Sequence, residues 1–293
     1  MKILTINTHS LIEAQYQQKL EQFVSGIVRE KPDIIAMQEV NQSADEAAVE
    51  PGQLVGLVPC PENTILFRRD NHAVQVARRL REEGLPYYWT WFPVKLGYGK
   101  YDEGMAIFSR YPITDTHVCR ISGCNDYKNW KTRKVLGIRT QDPLNSWFYT
   151  VHMGWWNDQE EPFEAQWERL ERHLHSAKET GPVWLMGDFN SPDRIRGEGY
   201  DCVRGSGWQD TYVAAGEKDN GITVQGVIDG WREQLEAASG EAAENIPGMR
   251  IDYIWCSYPQ TVLRSRVLFN GTHEPVISDH YGVMIETEES VTL

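Results

Sequence analysis

The stretch Pro182-Val183-Trp184-Leu185-Met186-Gly187-Asp188-Phe189-Asn190 decides how this chain is read. Its apolar run has the pattern of a buried strand, and Gly187 punctuates the end. Asp188 and Asn190 stand two residues apart, so an extended backbone would turn both side chains the same way. A carboxylate and a carboxamide at one strand tip suit a hard cation, a phosphate oxygen or an attacking water. Taken alone, Gly-Asp-Phe-Asn is more often a turn. Its meaning therefore depends on what the other strand ends carry.

Outward from this segment, strands and helices alternate without repeats or low-complexity tracts. Residues 3–7 read as a strand. Residues 15–30 place Leu20, Phe23, Val24, Ile27 and Val28 at helical spacing, and Pro32 ends that run before a buried strand over 33–40. A long connection over 41–63 precedes a helix over 71–83. Strand patterns then dominate at 88–94, 104–110, 116–121, 134–140 and 147–153, and a helix over 161–179 leads into the Asp188 strand. Residues 216–248 are polar and glycine-containing, with a helical centre near 230–238. They read as an excursion and not a linker, because strand patterns resume at 249–257, 262–269 and 281–286. This mixture predicts one layered α/β (α+β) domain over residues 1–293.

The chain has 293 residues and a net charge of −13, and 41% of it is hydrophobic. That describes an ordinary globular protein with enough chain for a sizeable core. Proteins that live on nucleic acid usually carry a basic stripe. Here the nearest approach is Lys128, Lys131, Arg133 and Lys134, so the charge argues against a nucleic-acid partner. The first residues show no secretory pattern, and no run approaches the roughly 20 apolar residues of a membrane span. The five cysteines include no metal-like pair and read as free thiols of a cytoplasmic protein. Eleven tryptophans are more telling. Trp147, Trp184 and Trp255 fit strand cores, whereas Trp130, Trp155, Trp156, Trp208 and Trp231 fall in suspected loops.

Polar groups recur at the strand ends. Asn7 closes the first strand, Gln38 and Glu39 interrupt the second, and Glu103 precedes Met105 to Phe108. His152 ends Phe148-Tyr149-Thr150-Val151-His152. Asp252 lies in Arg250-Ile251-Asp252-Tyr253, and Asp279 and His280 lie in Ser278-Asp279-His280. A carboxylate directly after a buried run is costly unless it is paired or binds a cation. Each group alone has a bland reading as a solvated or packed side chain. Six such strand ends together do not.

In this order the motifs resemble those of the endonuclease/exonuclease/phosphatase superfamily: Thr5-Ile6-Asn7, Gln38-Glu39, Glu103-Gly104 before Phe108-Ser109-Arg110, Val151-His152, Gly187-Asp188-Phe189-Asn190, Arg250-Ile251-Asp252-Tyr253 and Ser278-Asp279-His280. The resemblance implies a four-layer sandwich of two mainly antiparallel β-sheets flanked by helices, and a metal-dependent phosphoester hydrolase. It implies Glu39 as the principal Mg²⁺ ligand, with Mn²⁺ able to substitute. Asn7 lies beside Glu39, and Asp279 is a further acidic group near the metal. It implies that Asp188 activates water, that Asn190 donates to the phosphate, that His280 pairs with Asp252 and that His152 pairs with Glu103.

The motifs fix the reaction and leave the substrate open. A phosphomonoesterase for a small sugar phosphate fits the acidic, cytoplasmic character. The chain is also similar to a bacterial subgroup that includes maltose 6′-phosphate phosphatases, through Gly154-Trp155-Trp156 and Ile228-Asp229-Gly230-Trp231. That similarity makes Trp155, Trp156 and Trp231 candidate sugar contacts and a disaccharide phosphate the preferred substrate. A Mg²⁺-dependent nuclease and a non-catalytic binding scaffold are the alternatives.

Overall fold

The computed structural model describes residues 1–227, 231–240 and 242–288. In chain order the first half comprises β1 (Lys2–Asn7), α1 (Tyr16–Glu30), β2 (Ile34–Ser43), α2 (His72–Glu82), β3 (Tyr88–Gly97), β4 (Tyr101–Ser109), β5 (Ile113–Arg120), β6 (Lys134–Thr140) and β7 (Trp147–His152). There follow α3 (Phe163–Thr180), β8 (Val183–Asp188), α4 (Gly199–Gly205), β9 (Gln209–Asp210), α5 (Thr211–Ala214), β10 (Glu217–Lys218) and β11 (Val224–Gln225). The last elements are α6 (Arg232–Ser239), β12 (Gly248–Met249), β13 (Asp252–Cys256), β14 (Val262–Leu268) and β15 (Gly282–Thr287).

Two sheets form the body, one of seven strands in the order β10-β14-β15-β1-β2-β4-β3 and one of six in the order β5-β6-β7-β8-β13-β9. Most neighbours are antiparallel. The exceptions are β1–β2, β7–β8 and β10–β14. Side chains alternate across each strand and so build separate cores. Ile3, Ile34, Ala36, Met105 and Ile107 face Leu136, Phe148, Trp184, Met186 and Ile254 between the sheets. Leu4, Ile6, Ile35, Met37 and Phe108 face outward onto Leu20, Phe23 and Ile27 of α1 and Val76 and Leu80 of α2. On the other side Tyr149, Val151, Leu185 and Trp255 meet Trp167, Leu170 and Leu174 of α3. Helix, sheet, sheet and helix are thus stacked in four layers, as the resemblance implied.

Trp184 and Trp255 lie in these cores, and Trp147 is half-buried and stacks on Tyr149. The five cysteines are unpaired. Among the described residues no helix is long and apolar enough to cross a membrane.

The excursion begins later than its composition suggests. Glu217 and Lys218 still pair with Arg264 and Ser265 in the larger sheet. Beyond them, Val224, Trp231, Leu235, Ile246, Met249 and Ile251 close over Ile195 as a small core of their own. Trp231 is therefore 4% exposed, a packed residue more than a free loop aromatic. Ile228, Asp229 and Gly230, which precede it in sequence, lie outside the described residues.

Candidate active site

Register sets the site. β7 aligns His152 with Asp188, and β13 aligns Asp252 with the same Asp188. Three neighbouring strands of the smaller sheet therefore end in imidazole, carboxylate and carboxylate, side by side. Gly187 permits this approach. Its φ is +143°, and a Cβ there would stand 2.1 Å from the Val151 carbonyl oxygen and 2.8 Å from the Gln38 amide nitrogen.

The larger sheet supplies the opposite wall. Asn7 ends β1, beside Gln38 of β2. The β2–β4 register slips between Met37 and Val40, and Glu39 sits in that bulge at φ +52°. A bulge re-aims a side chain at a sheet rim. Gln38 consequently points between the sheets, donating to Thr150 Oγ1 at 2.7 Å and Thr5 Oγ1 at 3.1 Å. Glu39 turns to the rim, where Asn7 Nδ2 donates to its Oε1 at 2.9 Å.

One oxygen gathers the two walls. Asp188 Oδ2 lies 3.4 Å from Asn7 Nδ2, 3.6 Å from His152 Nε2 and 3.7 Å from His280 Nε2. Asp252 Oδ2 accepts from His280 Nδ1 at 2.9 Å, which fixes the proton on Nδ1 and turns Nε2 toward Asp188. Asp188 and Asp252 are almost wholly buried. Burial pushes the Asp188 carboxyl up to about 7, against the pull of His280. Burial opposes charge on His280, but Asp252 and Asp188 outweigh it and hold the imidazolium well above its ordinary range. His152 shifts the other way. Burial, then Arg133 and Lys95, hold it well below its ordinary range, so it stays neutral.

Several expectations need correction. Asp188 and Asn190 do not share a face of an extended strand. The strand stops at Asp188, Asn190 adopts φ +45°, and its backbone N–H donates to Asp188 Oδ1 at 2.8 Å, closing an Asx turn. Asn190 Nδ2 donates to the Met153 carbonyl at 2.8 Å. The His152–Glu103 pair is not formed. Glu103 faces Lys95 at 3.1 Å, and the carboxylates nearest His152 are Asp188 and Glu39, the latter at 4.0 Å. Asn7 presents its NH₂ to both carboxylates while its oxygen takes the His9 N–H at 3.3 Å, so as placed it orients Glu39 as a donor. Asp279 is brought to the rim, 3.8 Å from His9 and with its side chain 60% exposed. Trp155 and Trp156 part company: Trp155 is exposed, and Trp156 tilts onto Phe163 against the α3 core.

The model of the Endonuclease/Exonuclease/phosphatase family matches residues 4–280. The chain belongs to that family. Its members are phosphoester hydrolases and generally depend on a divalent metal. An endonuclease/exonuclease/phosphatase family protein from Leptotrichia buccalis superposes with a TM-score of 0.81 at 27% identity, over 98% of this chain and 99% of that one. A mannosyl-6-phosphatase from Bacteroides thetaiotaomicron gives 0.62 at 17%, over 98% and 99%. A 3′-5′ exonuclease from Neisseria meningitidis gives 0.60 at 19%, again over 98% and 99%. No curated protein matches the chain.

Glu39 is the rim carboxylate that could take a hard cation, with Asn7 turning its NH₂ toward it. Burial, then the neighbouring Glu103, push the Glu39 carboxyl up, and a cation beside it would favour the ionised form. Lys95, the adjacent amine, is engaged by Glu103. Magnesium commonly takes one or two carboxylates and completes its shell with water and substrate oxygens. Among the described residues, close trios of ligating groups occur at Asp188–Asp252–His280 and His9–Glu13–Asp279, and Glu39 belongs to neither. The first trio is held by its own hydrogen bond. In the second, His9 is bound to Glu13, which also meets Lys19.

The sequence reading missed part of the rim. Lys95 Nζ and Arg133 both donate to the Trp130 carbonyl, at 3.1 and 2.9 Å, and hold that loop against the site. Trp130 in turn meets Trp155, with ring centroids 5.6 Å apart. Tyr98 reaches His9 at 3.5 Å from the β3–β4 turn. Trp130, Trp155 and Tyr98 are 51%, 41% and 66% exposed and come from three loops. Lys95 had a legible signal, a lysine inside an apolar strand. The partners that make it matter are remote in sequence.

Proposed function

We propose that this protein is a divalent-cation-dependent phosphomonoesterase that hydrolyses a small sugar phosphate. The observation that carries the reading is the convergence of Asn7, His152 and His280 on Asp188 Oδ2, with Asp252 behind His280. Phosphoester hydrolysis needs an activated water, donors to the phosphoryl oxygens and neutralisation of their charge. Ionised Asp188 takes the proton of the attacking water, and a carboxyl near 7 suits a base working at neutral pH. His280, held as imidazolium, donates through Nε2 to a phosphoryl oxygen. His152 offers a neutral ring on the other side. Asn190 keeps one N–H on Met153 and directs the second to the phosphate. Glu39, with Asp279 as the further acidic group, would hold Mg²⁺ or Mn²⁺, which would supply charge neutralisation on the phosphoryl oxygens.

The rim favours a sugar over a polyanion. Three basic groups beside the mouth already have partners: Lys131 meets Asp158 at 2.9 Å, Lys95 meets Glu103, and Arg133 serves loop carbonyls. Glu160 and Asp279 add exposed negative charge. To meet a DNA backbone these three cations would have to leave the partners they hold. Trp155 and Trp130 offer flat apolar faces beside a polar centre. The Bacteroides mannosyl-6-phosphatase and the Neisseria exonuclease share this fold at 17% and 19% identity, so the rim is the better guide to substrate.

A hydrolysis panel tests the reading, using a disaccharide phosphate, a hexose phosphate, an aryl phosphate and plasmid DNA. Sugar phosphates should turn over with Mg²⁺, and excess chelator or Glu39→Gln should remove most activity with the fold intact by circular dichroism. Full turnover in chelator would remove the cation. Cleavage of plasmid at physiological salt with sugar phosphates untouched would replace the substrate class with nucleic acid.

A further inference from the structure

The Asp252–His280 pair rests on a single side-chain hydrogen bond. Asp252 Oδ2 takes the His280 N–H, whereas Asp252 Oδ1 is buried with no hydrogen-bond partner among the described residues. The geometry of the pair therefore depends on where the backbone puts residues 252 and 280. His280 has its own N–H on Ser278 Oγ at 3.3 Å, on the β1 side.

One further residue meets both segments. Thr223 lies near the start of the excursion, next to Val224 of its small core, and is fully buried. Its Oγ1 accepts the backbone N–H groups of Ile251 at 3.1 Å and Asp252 at 3.2 Å. Its carbonyl accepts the N–H of Tyr281, the residue after His280, at 2.7 Å. Its own N–H donates to the Met249 carbonyl at 2.8 Å. Tyr281 OH adds a second tie to the excursion, donating to Gln225 Oε1 at 3.2 Å.

Strand pairing explains why a hydroxyl is needed there. Asp252 stands opposite Asp188, and the bond beside them runs from Phe189 N to the Ile251 carbonyl. That is the pattern of a non-hydrogen-bonded antiparallel pair, in which the Asp252 N–H faces away from β8. On its other side β13 meets β9 only at Trp255 and Cys256. The Asp252 N–H thus points past the end of β9, where Thr223 Oγ1 takes the place of a strand carbonyl. A buried N–H without an acceptor is costly. Loss of the hydroxyl would drive the backbone at 251–252 to shift toward another acceptor.

We propose that Thr223 is a positioning residue for the centre: its hydroxyl sets Asp252, its carbonyl sets the segment of His280, and the excursion it opens holds the two in register. The kinetic consequence rests on the phosphomonoesterase reading above, while the geometry stands apart from it.

Proton NMR without substrate reads the hydrogen bond itself. The His280 Nδ1–H on Asp252 should give a downfield imidazole resonance, recognised by its absence in His280→Ala. It should persist in Thr223→Ser, which keeps the hydroxyl, and move upfield or vanish in Thr223→Val, which keeps the shape. An unchanged resonance in Thr223→Val overturns the proposal. In kinetics, Thr223→Val should lower kcat about 10-fold with KM little changed, short of the roughly 10²-fold of a 1 Å misplacement. Thr223→Ser should recover most of that loss. Leu235→Ala loosens the same small core without touching these bonds. A kcat loss there equal to that of Thr223→Val would trace the effect to packing and likewise overturn the proposal. Should Thr223→Val fail to fold, the parent protein decides. Its Ile251, Asp252 and Tyr281 amides should exchange with solvent as slowly as those at the centre of β13, and many-fold faster exchange removes Thr223 from this role. The expected resonance changes in a protein that hydrolyses no phosphoester keep Thr223 in place and remove the phosphomonoesterase reading. Turnover with an unchanged resonance does the reverse.

Discussion

At the scale of single residues, each side chain of the centre has a partner that sets its charge, and each charge has a kinetic signature. Asp188→Asn and His280→Ala should each lower kcat by at least about 10²-fold, the usual size of a lost general acid or base. A change confined to KM would assign the residue to binding alone. Asp252→Asn should give a milder form of the His280 defect, because the ring loses its orienting acceptor. The pH profile follows from the same groups. Asp188 must be ionised, so the rate falls as pH drops through its value, and a bound cation places that limb below about 7. His280 must be protonated, so the rate falls as pH rises through its raised value. A bell-shaped kcat/KM profile, with an alkaline limb that Asp252→Asn moves to lower pH, is the expected result. These residues were legible because carboxylate, amide and imidazole groups at strand ends are costly without a purpose. Lys95 and Arg133 were not, because their meaning lies in Glu103 and in the carbonyl of Trp130, contacts no local pattern announces.

At the scale of elements, the apolar periods of strands and helices could be read directly, and the interruptions could not. β2 carries Gln38 and Glu39 in mid-strand because a bulge absorbs them, and it continues to Ser43. The polar 41–43 segment looked like loop, yet Asn41, Gln42 and Ser43 pair with β4. The seam between α1 and α2 holds another feature that pattern alone does not give. Tyr16 OH and His72 Nδ1 meet at 2.9 Å, and burial pulls the His72 imidazole down to about 3. An unfolded histidine titrates near 6.5. Between these values the unfolded chain binds the extra proton, so stability falls as pH drops from about 6.5 toward 3. By pH 5 the loss from this one group is about 2 kcal/mol. Denaturant midpoints at pH 7 and pH 5 should therefore differ less in His72→Phe than in the parent. An equal drop in both proteins would clear His72 of this role.

At the scale of the whole molecule, the two sheets meet through Gln38, whose amide donates to Thr5 of one sheet and Thr150 of the other. Gln38→Ala should cost about 1–3 kcal/mol in denaturant unfolding, the usual penalty for breaking a buried polar network. It should also lower kcat, since Asn7 and Asp188 stand on opposite sides of that joint. A variant with lowered stability and the parent's kcat would confine Gln38 to packing. Layered architecture was legible from the sequence because alternating apolar faces demand covering layers. The depth at which each aromatic lies was not: Trp156 and Trp231 face packed cores while Trp155 faces solvent, a choice made by the neighbours they meet after folding.

The pairing of β1 with β15 has a bearing on how the protein comes into being. Ser278 Oγ donates to the Asn7 carbonyl across 271 residues of sequence. A ribosome makes Asn7 long before His280. During synthesis β1 can join β2, but its other edge waits for a strand that does not yet exist. Nascent chains still lacking His280 therefore lack the imidazole proposed to face the phosphoryl group, however much of the two sheets has formed. On the proposed mechanism, full turnover waits until translation has delivered that imidazole, so the protein's own topology times its activity.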